Sequence, residues 1–279
     1  MTRIQLLVIP VILVIIGTAI FLIRDASDSQ VPDPGAPDST TLSTDDGSPA
    51  SSPHSKPATG YVDVKLKKKR FFEYLLPMIK VANKEIIEER NTLLRLQERH
   101  GLNSALSSDE LLQLSLLGNK YKLALENSEH DIAAYLSELL ARIDIIPASL
   151  ILAQSANESA WGTSRFAREA NNYFGMWCFT PGCGVTPARR TAGMTHEVAK
   201  FDSVEQGVSR YVLNLNTNSA YEVLRKIRAG LRQSNAEITG VDLAEGLERY
   251  SERGHAYVEE IQSMIRFNKL EEFNQKQSD

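Results

Sequence analysis

Residues 4–23 form a run without any charged side chain, bounded by Arg3 and Arg24. A helix of about 20 residues, rising about 1.5 Å per residue, matches the roughly 30 Å hydrocarbon core of a bilayer. A cleaved signal peptide is the alternative, but its apolar region usually has only about 7–15 residues and ends at a small-x-small cleavage site. The sequence therefore favours an uncleaved membrane anchor over residues 1–24, with the amino terminus inside and the remainder exported.

Residues 25–60 are rich in Pro, Ser, Asp and Thr and nearly devoid of large apolar side chains. Such a segment buries too little surface to offset the entropy of ordering its backbone, which predicts a disordered linker. A flexible coil of about 35 residues has a root-mean-square span of about 30 Å. We expect the linker to hold the folded region near the membrane.

Acidic and basic residues are nearly equal in number from residue 61 onward, and Lys65–Arg70 is one local basic run. This balance gives no electrostatic footprint for nucleic acid, so none is expected as a partner. Two segments are expected to fold, a helical one over 61–145 and a second one over 146–270.

The two cysteines of the chain, Cys178 and Cys183, enclose Pro181 and Gly182. In an exported protein this spacing predicts a small disulfide loop. The alternative is a free cysteine that acts as nucleophile with His196 as base, in an amidase-type hydrolase. A metal site would need further ligands at short spacing, and His196 is the only one nearby, so no metal or cofactor is expected.

Most of the chain after the linker has a helical pattern, which predicts a mainly α, α+β domain. Apolar residues recur at helical spacing between Phe71 and Leu96, and Gly101 is the expected stop. Four further helices are expected, from Ser107 to 125, from Ser128 to 143, from Pro147 to 160 and from Ser203 to 216. Residues 174–201 contain Cys, Pro, Gly and Thr without a helical period, which indicates a loop or small β-lobe.

Glu158 stands near the end of the apolar helix that Pro147 begins. Burial raises the pKa of a carboxyl group because it disfavours the charged form, and a general acid near neutral pH requires this. Trp161 follows closely and can keep water from the carboxyl. A structural carboxylate, hydrogen-bonded to a neighbouring helix, is the alternative interpretation.

Two segments carry a resemblance to a known family: ILAQSANESAWG at 151–162 and NNYFG at 171–175. In their order and spacing they resemble the glucosaminidase domain of glycoside hydrolase family 73, where A-x-x-E-S-x-W-G precedes N-N-x-F-G. The wider stretch 147–268 resembles the Bax-like branch of that family, including WCF at 177–179, THEV at 195–198 and YSERG at 250–254.

The resemblance implies a lysozyme-like fold that cleaves β-1,4 bonds after N-acetylglucosamine in peptidoglycan, with Glu158 as the acid. It also implies a second carboxylate on the β-lobe, for which Glu197 is the nearest counterpart and Asp202 and Glu205 are alternatives. The family has a functional tyrosine in a segment like Y-x-x-x-P-x-Y. Tyr257 is the best match, although residues 250–257 lack the proline and are one residue longer.

Sugar rings present apolar C–H faces between polar hydroxyls, so aromatic and amide side chains are expected along the substrate groove. The candidates in and after the matched segments are Gln154, Trp161, Asn172, Tyr173, Phe174, Trp177 and Tyr257. The expected protein is a peptidoglycan hydrolase with a single pass through the bacterial inner membrane and its catalytic domain in the periplasm. Its partners would be glycan strands and the membrane. A catalytically silent peptidoglycan-binding module is the remaining alternative.

Overall fold

A computed structural model of the protein describes residues 59–102, 104–125, 131–187 and 195–274. These residues group into one compact unit, in which the expected segments 61–145 and 146–270 pack together. The expected membrane anchor and almost all of the expected linker lie outside the described residues. Within the described ranges, no helix has both the length and the apolar character needed to cross a bilayer.

The described part of the chain is mainly helical, as expected from the sequence, with nine α-helices. They are α1 (Thr59–Gly101), α2 (Ser108–Lys120), α3 (Ile132–Arg142), α4 (Ala148–Glu158), α5 (Arg165–Ala170), α6 (Val204–Thr217), α7 (Glu222–Gln233), α8 (Gly240–Ala244) and α9 (His255–Phe267). Short 3₁₀ helices cover Ser219–Tyr221, Glu245–Leu247 and Leu270–Phe273.

Helix α1 begins earlier than the periodicity indicated and continues through Pro77 to the expected stop. Its apolar face is buried at all six positions that the helical spacing selected, which are Leu75, Ile79, Ala82, Ile86, Leu93 and Leu96. This face packs against α3, α4 and α6. Because an apolar stripe of this kind must be covered, the long helix forms one wall of the core around α4.

Asn83 of α1 fixes the segment that leads into α4. Its side-chain Nδ2 donates to the carbonyl of Ile146 at 2.8 Å, and its Oδ1 accepts from the amide of Ile146 at 3.2 Å. Asn83 is only 4% exposed, so these bonds lie in the core and away from competing water. These two hydrogen bonds fix the position of the start of α4 along α1.

A network of arginines around the buried Asp144 also fixes this segment. The guanidinium of Arg228 donates to the carbonyls of Asp144 and Ile145 at 2.9 and 3.1 Å. The carboxylate of Asp144 pairs with Arg232 at 2.8 Å and with Arg90 at 3.4 Å. This network joins α1 and α7 to the start of α4, and its polar groups satisfy one another in a dry site.

One of the predicted N-terminal helix caps is confirmed in full, at α2, and the caps of α6 and α3 differ from the prediction. Ser107 and Glu110 form the expected reciprocal capping box at α2. At α6, Ser203 accepts from the amide of Gln206, but the side chain of Gln206 accepts from the amide of Asp202 instead of the cap residue. Helix α3 is capped by Asp131, whose carboxylate accepts from Ala133 and Ala134, whereas the expected cap Ser128 lies outside the described residues.

The segment without helical period forms a small antiparallel sheet, in agreement with the expected β-lobe. Its strands are β1 (Trp177–Cys178), β2 (Gly184–Val185) and β3 (Glu197–Ala199), with β3 in the centre. At Gly184 a Cβ atom would lie 1.9 Å from the carbonyl oxygen of Val198. Only glycine permits so close an approach of the two backbones.

Candidate active site

Helix α4 is surrounded by protein, and Glu158 is its last residue. Every residue from Ala148 to Ala156 is buried. Directly afterwards Ala160, Trp161 and Gly162 take positive φ angles of 49°, 60° and 74°, so the chain reverses at once. The fold thus brings the end of a core helix, with its carboxylate, to the surface at a sharp turn.

The turn after Glu158 is held by one serine. The hydroxyl of Ser159 donates to the carbonyl of Ser155 at 2.6 Å and accepts from the amide of Gly162 at 2.7 Å. Gly162 is required there, because a Cβ would lie 3.2 Å from the ring of Tyr173 on a left-handed backbone. The A-x-x-E-S-x-W-G pattern therefore encodes this turn.

The carboxyl of Glu158 lies in a protected environment that favours its protonated form. Burial raises its pKa, and hydrogen bonds from Tyr257 and Asn157 oppose the rise only in part. The hydroxyl of Tyr257 donates to Oε1 at 2.9 Å. The negative end of the α4 dipole further disfavours charge at this position. This is the environment that a general acid working near neutral pH needs.

The second carboxyl oxygen of Glu158 faces the loop that carries NNYFG. A Cβ atom at Gly175 would lie 3.7 Å from Oε2, which places the loop backbone beside this oxygen. Gly175 also has a positive φ of 63°. The absence of a side chain at this position leaves space next to the oxygen that Tyr257 does not contact.

Two further core side chains continue the hydrogen bonding behind Tyr257. The Nε2 of Gln154 donates to the hydroxyl of Tyr257 at 2.9 Å, and the Oε1 of Gln154 accepts from the hydroxyl of Tyr211. Gln154 and Tyr211 are both fully buried. Burial raises the pKa of Tyr211 and Tyr257 well above the usual value, so both phenols remain protonated.

A cluster of aromatic rings surrounds this chain of hydrogen bonds. The ring of Tyr250 stacks on Tyr257 with centroids 5.3 Å apart, and its hydroxyl donates to the carbonyl of Phe174 at 2.8 Å. Phe174 in turn stacks on Tyr211 at 4.0 Å. Sequence reasoning did not select Tyr211 or Tyr250 as site residues. Tyr250 stands at the start of the YSERG segment, but no local pattern places Tyr211 beside a helix more than 50 residues away.

Four of the residues expected to contact the substrate directly are buried, so the structure corrects that expectation for them. Phe174 and Tyr257 are each 2% exposed, and Gln154 has no exposed surface. Asn172, 1% exposed, donates from Nδ2 to the carbonyls of Met176 and Ala199 at 2.8 Å each. Its Oδ1 accepts from the amide of Met176, so the side chain ties the NNYFG loop to strand β3. These residues shape the site from beneath its surface.

Two of the expected substrate-binding aromatics lie between the turn after Glu158 and helix α1. Trp161 packs edge-to-face against Phe71 and Phe72 at centroid distances of 5.6 and 5.5 Å. Tyr173 lies 6.2 Å from Phe71, and both Trp161 and Tyr173 stay partly exposed. Helix α1 therefore supports the aromatic residues that follow the candidate acid.

The third expected aromatic lies on the β-lobe. Trp177 of β1 is 38% exposed and stacks on the ring of His196 with centroids 3.6 Å apart. A tryptophan that packs on a second ring and still keeps exposed surface is suited to stack on a sugar.

Glu197, the expected second carboxylate, accepts backbone hydrogen bonds within the β-lobe. Its oxygens accept from the amides of Gly182 and Gly184 at 3.2 and 2.8 Å. The alternatives lie at the start of α6, where Asp202 accepts from Gln206 at 3.1 Å and Glu205 is exposed in the first turn. The geometry thus gives Glu197 a structural task, to hold the loop that the two cysteines close.

Cys178 and Cys183 are joined in a disulfide, which confirms the predicted loop and leaves no free cysteine in the chain. The alternative of an amidase with a cysteine nucleophile and His196 as base is therefore wrong, because the nucleophile must be a thiolate. Sγ atoms of both cysteines lie close to a Glu197 oxygen. They form no metal site together, since disulfide sulfurs are not thiolate ligands.

The comparisons with known proteins agree with this geometry. Residues 133–270 match the glucosaminidase family model, described as mannosyl-glycoprotein endo-beta-N-acetylglucosaminidase. The chain belongs to the glucosaminidase family and is a glycoside hydrolase by that membership. It is also 36% identical over 202 residues to Protein bax of Escherichia coli (strain K12). The aligned residues make up 72% of this chain and 70% of that relative. No solved structure gives a significant match.

Proposed function

We propose that this protein is an endo-β-N-acetylglucosaminidase of peptidoglycan, with a lysozyme-like domain in which Glu158 is the general acid. The observation that carries the proposal is the environment of Glu158, at the exit of a buried helix, with a raised pKa and a hydrogen bond from Tyr257. This carboxyl stands in the segment that matches the family. Peptidoglycan is the substrate class that the resemblance to the family implies.

In this mechanism the protonated carboxyl of Glu158 transfers its proton to the glycosidic oxygen as the bond to the anomeric carbon breaks. Proton transfer makes the leaving sugar a neutral alcohol, while positive charge develops on the remaining ring. The ionised Glu158 that results is stabilised by the hydroxyl of Tyr257. Tyr257 thus acts on the acid. Its hydrogen bond lowers the free energy of ionised Glu158 relative to the protonated form.

The positive charge on the sugar ring requires an electron-rich partner, for which we retain Glu197 as first candidate. A carboxylate about 5 Å from the acid would act as nucleophile with retention, and one about 6.5–9.5 Å away would activate water with inversion. The acetamido oxygen of the substrate is an alternative partner, because it can attack the anomeric carbon of its own ring.

We assign the glycan strand to the surface formed by Trp161, Tyr173 and Trp177, which are exposed wholly or in part. Their rings can stack on the apolar faces of successive sugars. The strand would then cross the site between the NNYFG loop and the β-lobe.

We further propose that residues 4–23 anchor the protein in the bacterial inner membrane, with the hydrolase domain in the periplasm. The disulfide of the β-lobe supports export, since disulfides form and persist in oxidising compartments. Membrane fractionation, followed by protease treatment of intact spheroplasts, tests this topology. Recovery in the soluble cytoplasmic fraction would refute it.

The activity is tested by incubating the full chain in detergent with purified peptidoglycan and, separately, with a mannosyl glycoprotein, and by mass spectrometry of the products. The parent is expected to release peptidoglycan fragments with reducing-end N-acetylglucosamine, and Glu158→Gln none. Cleavage of the glycoprotein and not of peptidoglycan would change the proposed substrate class but leave the proposed glycosidase reaction in place. Equal cleavage by the Glu158→Gln variant would refute the role of Glu158, and binding to peptidoglycan without cleavage by either would favour the silent module.

A further inference from the structure

The hydrogen bonds behind Glu158 run in one direction, from Tyr211 through Gln154 and Tyr257 to the carboxyl. Tyr211 gives its single hydroxyl hydrogen to the Oε1 of Gln154. The amide of Gln154 therefore presents its Nε2 to Tyr257, at 2.9 Å. The oxygen of Tyr257 accepts this bond, and its one hydrogen is given to the Oε1 of Glu158 at 2.9 Å.

We propose that Tyr211 and Gln154 are positioning residues that orient the hydroxyl of Tyr257 toward the Oε1 of Glu158 and thereby keep the catalytic proton on Oε2. This inference rests on the proposed role of Glu158 as general acid. It extends the machinery to two residues that touch neither the substrate nor the acid.

The number of available hydrogens determines which oxygen of Glu158 carries the proton. The hydrogen of the Tyr257 hydroxyl lies between its oxygen and the Oε1 of Glu158. A proton on Oε1 that pointed at Tyr257 would meet this hydrogen, so the acid carries its proton on the other oxygen. That oxygen, Oε2, lies on the side of Gly175, where no side chain fills the space. The proton is then held at the face of the carboxyl that the NNYFG loop borders, away from the tyrosine cluster.

The reversed orientation of the amide would undo this arrangement. With the Nε2 of Gln154 turned toward Tyr211, the hydroxyl of Tyr257 would donate to the Oε1 of Gln154 and accept from Glu158. The catalytic proton would then point into the core. Reversal would also make the oxygen of Tyr211 accept from the Nε2 of Gln154, and the hydrogen of this buried hydroxyl would lose the acceptor that it has in the structure, which is unfavourable.

Other charged and titratable groups act on Glu158 from α9 and from the neighbouring tyrosines. Helix α9 brings Arg253, just before its start, and Glu260, which form an ion pair and act on Glu158 with opposite signs. Tyr221 and Tyr250 are the other phenols that sense its charge. The pKa of both phenols is raised by burial, so they stay neutral over the pH range of the assay.

The test compares the pH dependence of kcat/KM on peptidoglycan fragments for the parent and two relay variants of the full chain. Tyr211→Phe releases the amide of Gln154. We expect kcat to fall about 5- to 10-fold, as for loss of one buried hydrogen bond. The alkaline limb should move to higher pH, because Tyr257 holds ionised Glu158 less well, and KM should stay unchanged.

Gln154→Glu serves as the second variant, because an ionised carboxylate at this position accepts from both tyrosines and turns Tyr257 away from Glu158. The alkaline limb should move further than in Tyr211→Phe. The matched control is Tyr135→Phe, which also removes a buried hydroxyl, one bonded to the carbonyl of Leu123 at 2.7 Å in a different part of the fold. Its alkaline limb should coincide with that of the parent.

Thermal unfolding establishes that each variant is folded before its profile is measured. The proposal is overturned if folded Tyr211→Phe and Gln154→Glu keep the parental alkaline limb, whether or not kcat falls, because a merely structural role predicts that result. It is also overturned if Tyr135→Phe moves the limb equally. Failure of the proposed function itself is recognised separately, by full activity of Glu158→Gln.

Discussion

The burial that raises the pKa of Glu158 must reduce the stability of the folded protein at neutral pH, and this can be measured. We predict that Glu158→Gln unfolds at higher temperature than the parent. Glutamine has nearly the same shape, and its Oε1 can still accept from Tyr257, which donates to Oε1 at 2.9 Å. The substitution removes only the charge, whose burial raises the pKa of Glu158.

The expected gain is about 0.5–2 kcal/mol in the free energy of unfolding, the usual range for removal of an unfavourable functional feature. For a folded domain of about 200 residues this corresponds to a rise in Tm of roughly 2–4 °C per kcal/mol. The sign follows from linkage. A carboxyl whose folded pKa is raised contributes its stability below the unfolded pKa of about 4.3 and loses it as pH rises through the folded value.

The parent and Glu158→Gln should therefore unfold alike near pH 4 and diverge as the pH rises above it. Differential scanning calorimetry at several pH values between 4 and 8 measures this. The matched control is Glu237→Gln, at an exposed position after α7, which should show no such divergence. A Glu158→Gln variant that is no more stable than the parent at pH 8, or a gain that does not change with pH, would refute the reasoning.

Three further predictions follow from the supports of the site. Asn83→Ala leaves the amide and the carbonyl of Ile146 without their partner in the core, and should lower the free energy of unfolding by roughly 2–5 kcal/mol in urea titrations. Burial opposes ionisation of Asp144, but Arg232, Arg228 and Arg90 outweigh it and lower its pKa, so the parent should lose stability as pH falls below about 4. Asp144→Asn should be less stable at pH 7 by about 3–5 kcal/mol and should lose less between pH 5 and 2. Tyr173→Ala should raise KM for glycan fragments about 2- to 10-fold with little change in kcat, as measured by reducing-end release.

The sequence predicted the parts of the fold that depend on local pattern. The apolar spacing of α1 identified its buried face because a helix can cover only one stripe of its surface. The capping box at Ser107 was recognised because it lies within one turn. The motif around Glu158 indicated a buried carboxyl because an apolar run, residues 150–153, precedes it on the same helix.

The parts that the sequence did not predict depend on contacts between distant segments. Phe174 is aromatic, as sugar-stacking residues are, but its ring is covered by Tyr211, which lies more than 30 residues further along the chain. The task of Gln154 is visible only once Tyr211 and Tyr257 meet on either side of it. Alternation along the NNYFG loop, with Asn172 and Phe174 buried and Tyr173 partly exposed, was the local signal that could have separated core from surface.

Helix α1 explains how a raised carboxyl pKa can be maintained in a fold of this kind. Helix α4 is buried from Ala148 to Ala156, and the segment matched by the family model starts only at residue 133. The earlier part of the chain supplies the missing wall, through the apolar face of α1 and the bonds of Asn83 to Ile146. The same helix supports Trp161 and Tyr173 through Phe71. Because α1 packs against α4 and also contacts the aromatic residues after Glu158, we expect changes in α1 to alter both the proposed proton transfer and the proposed sugar binding.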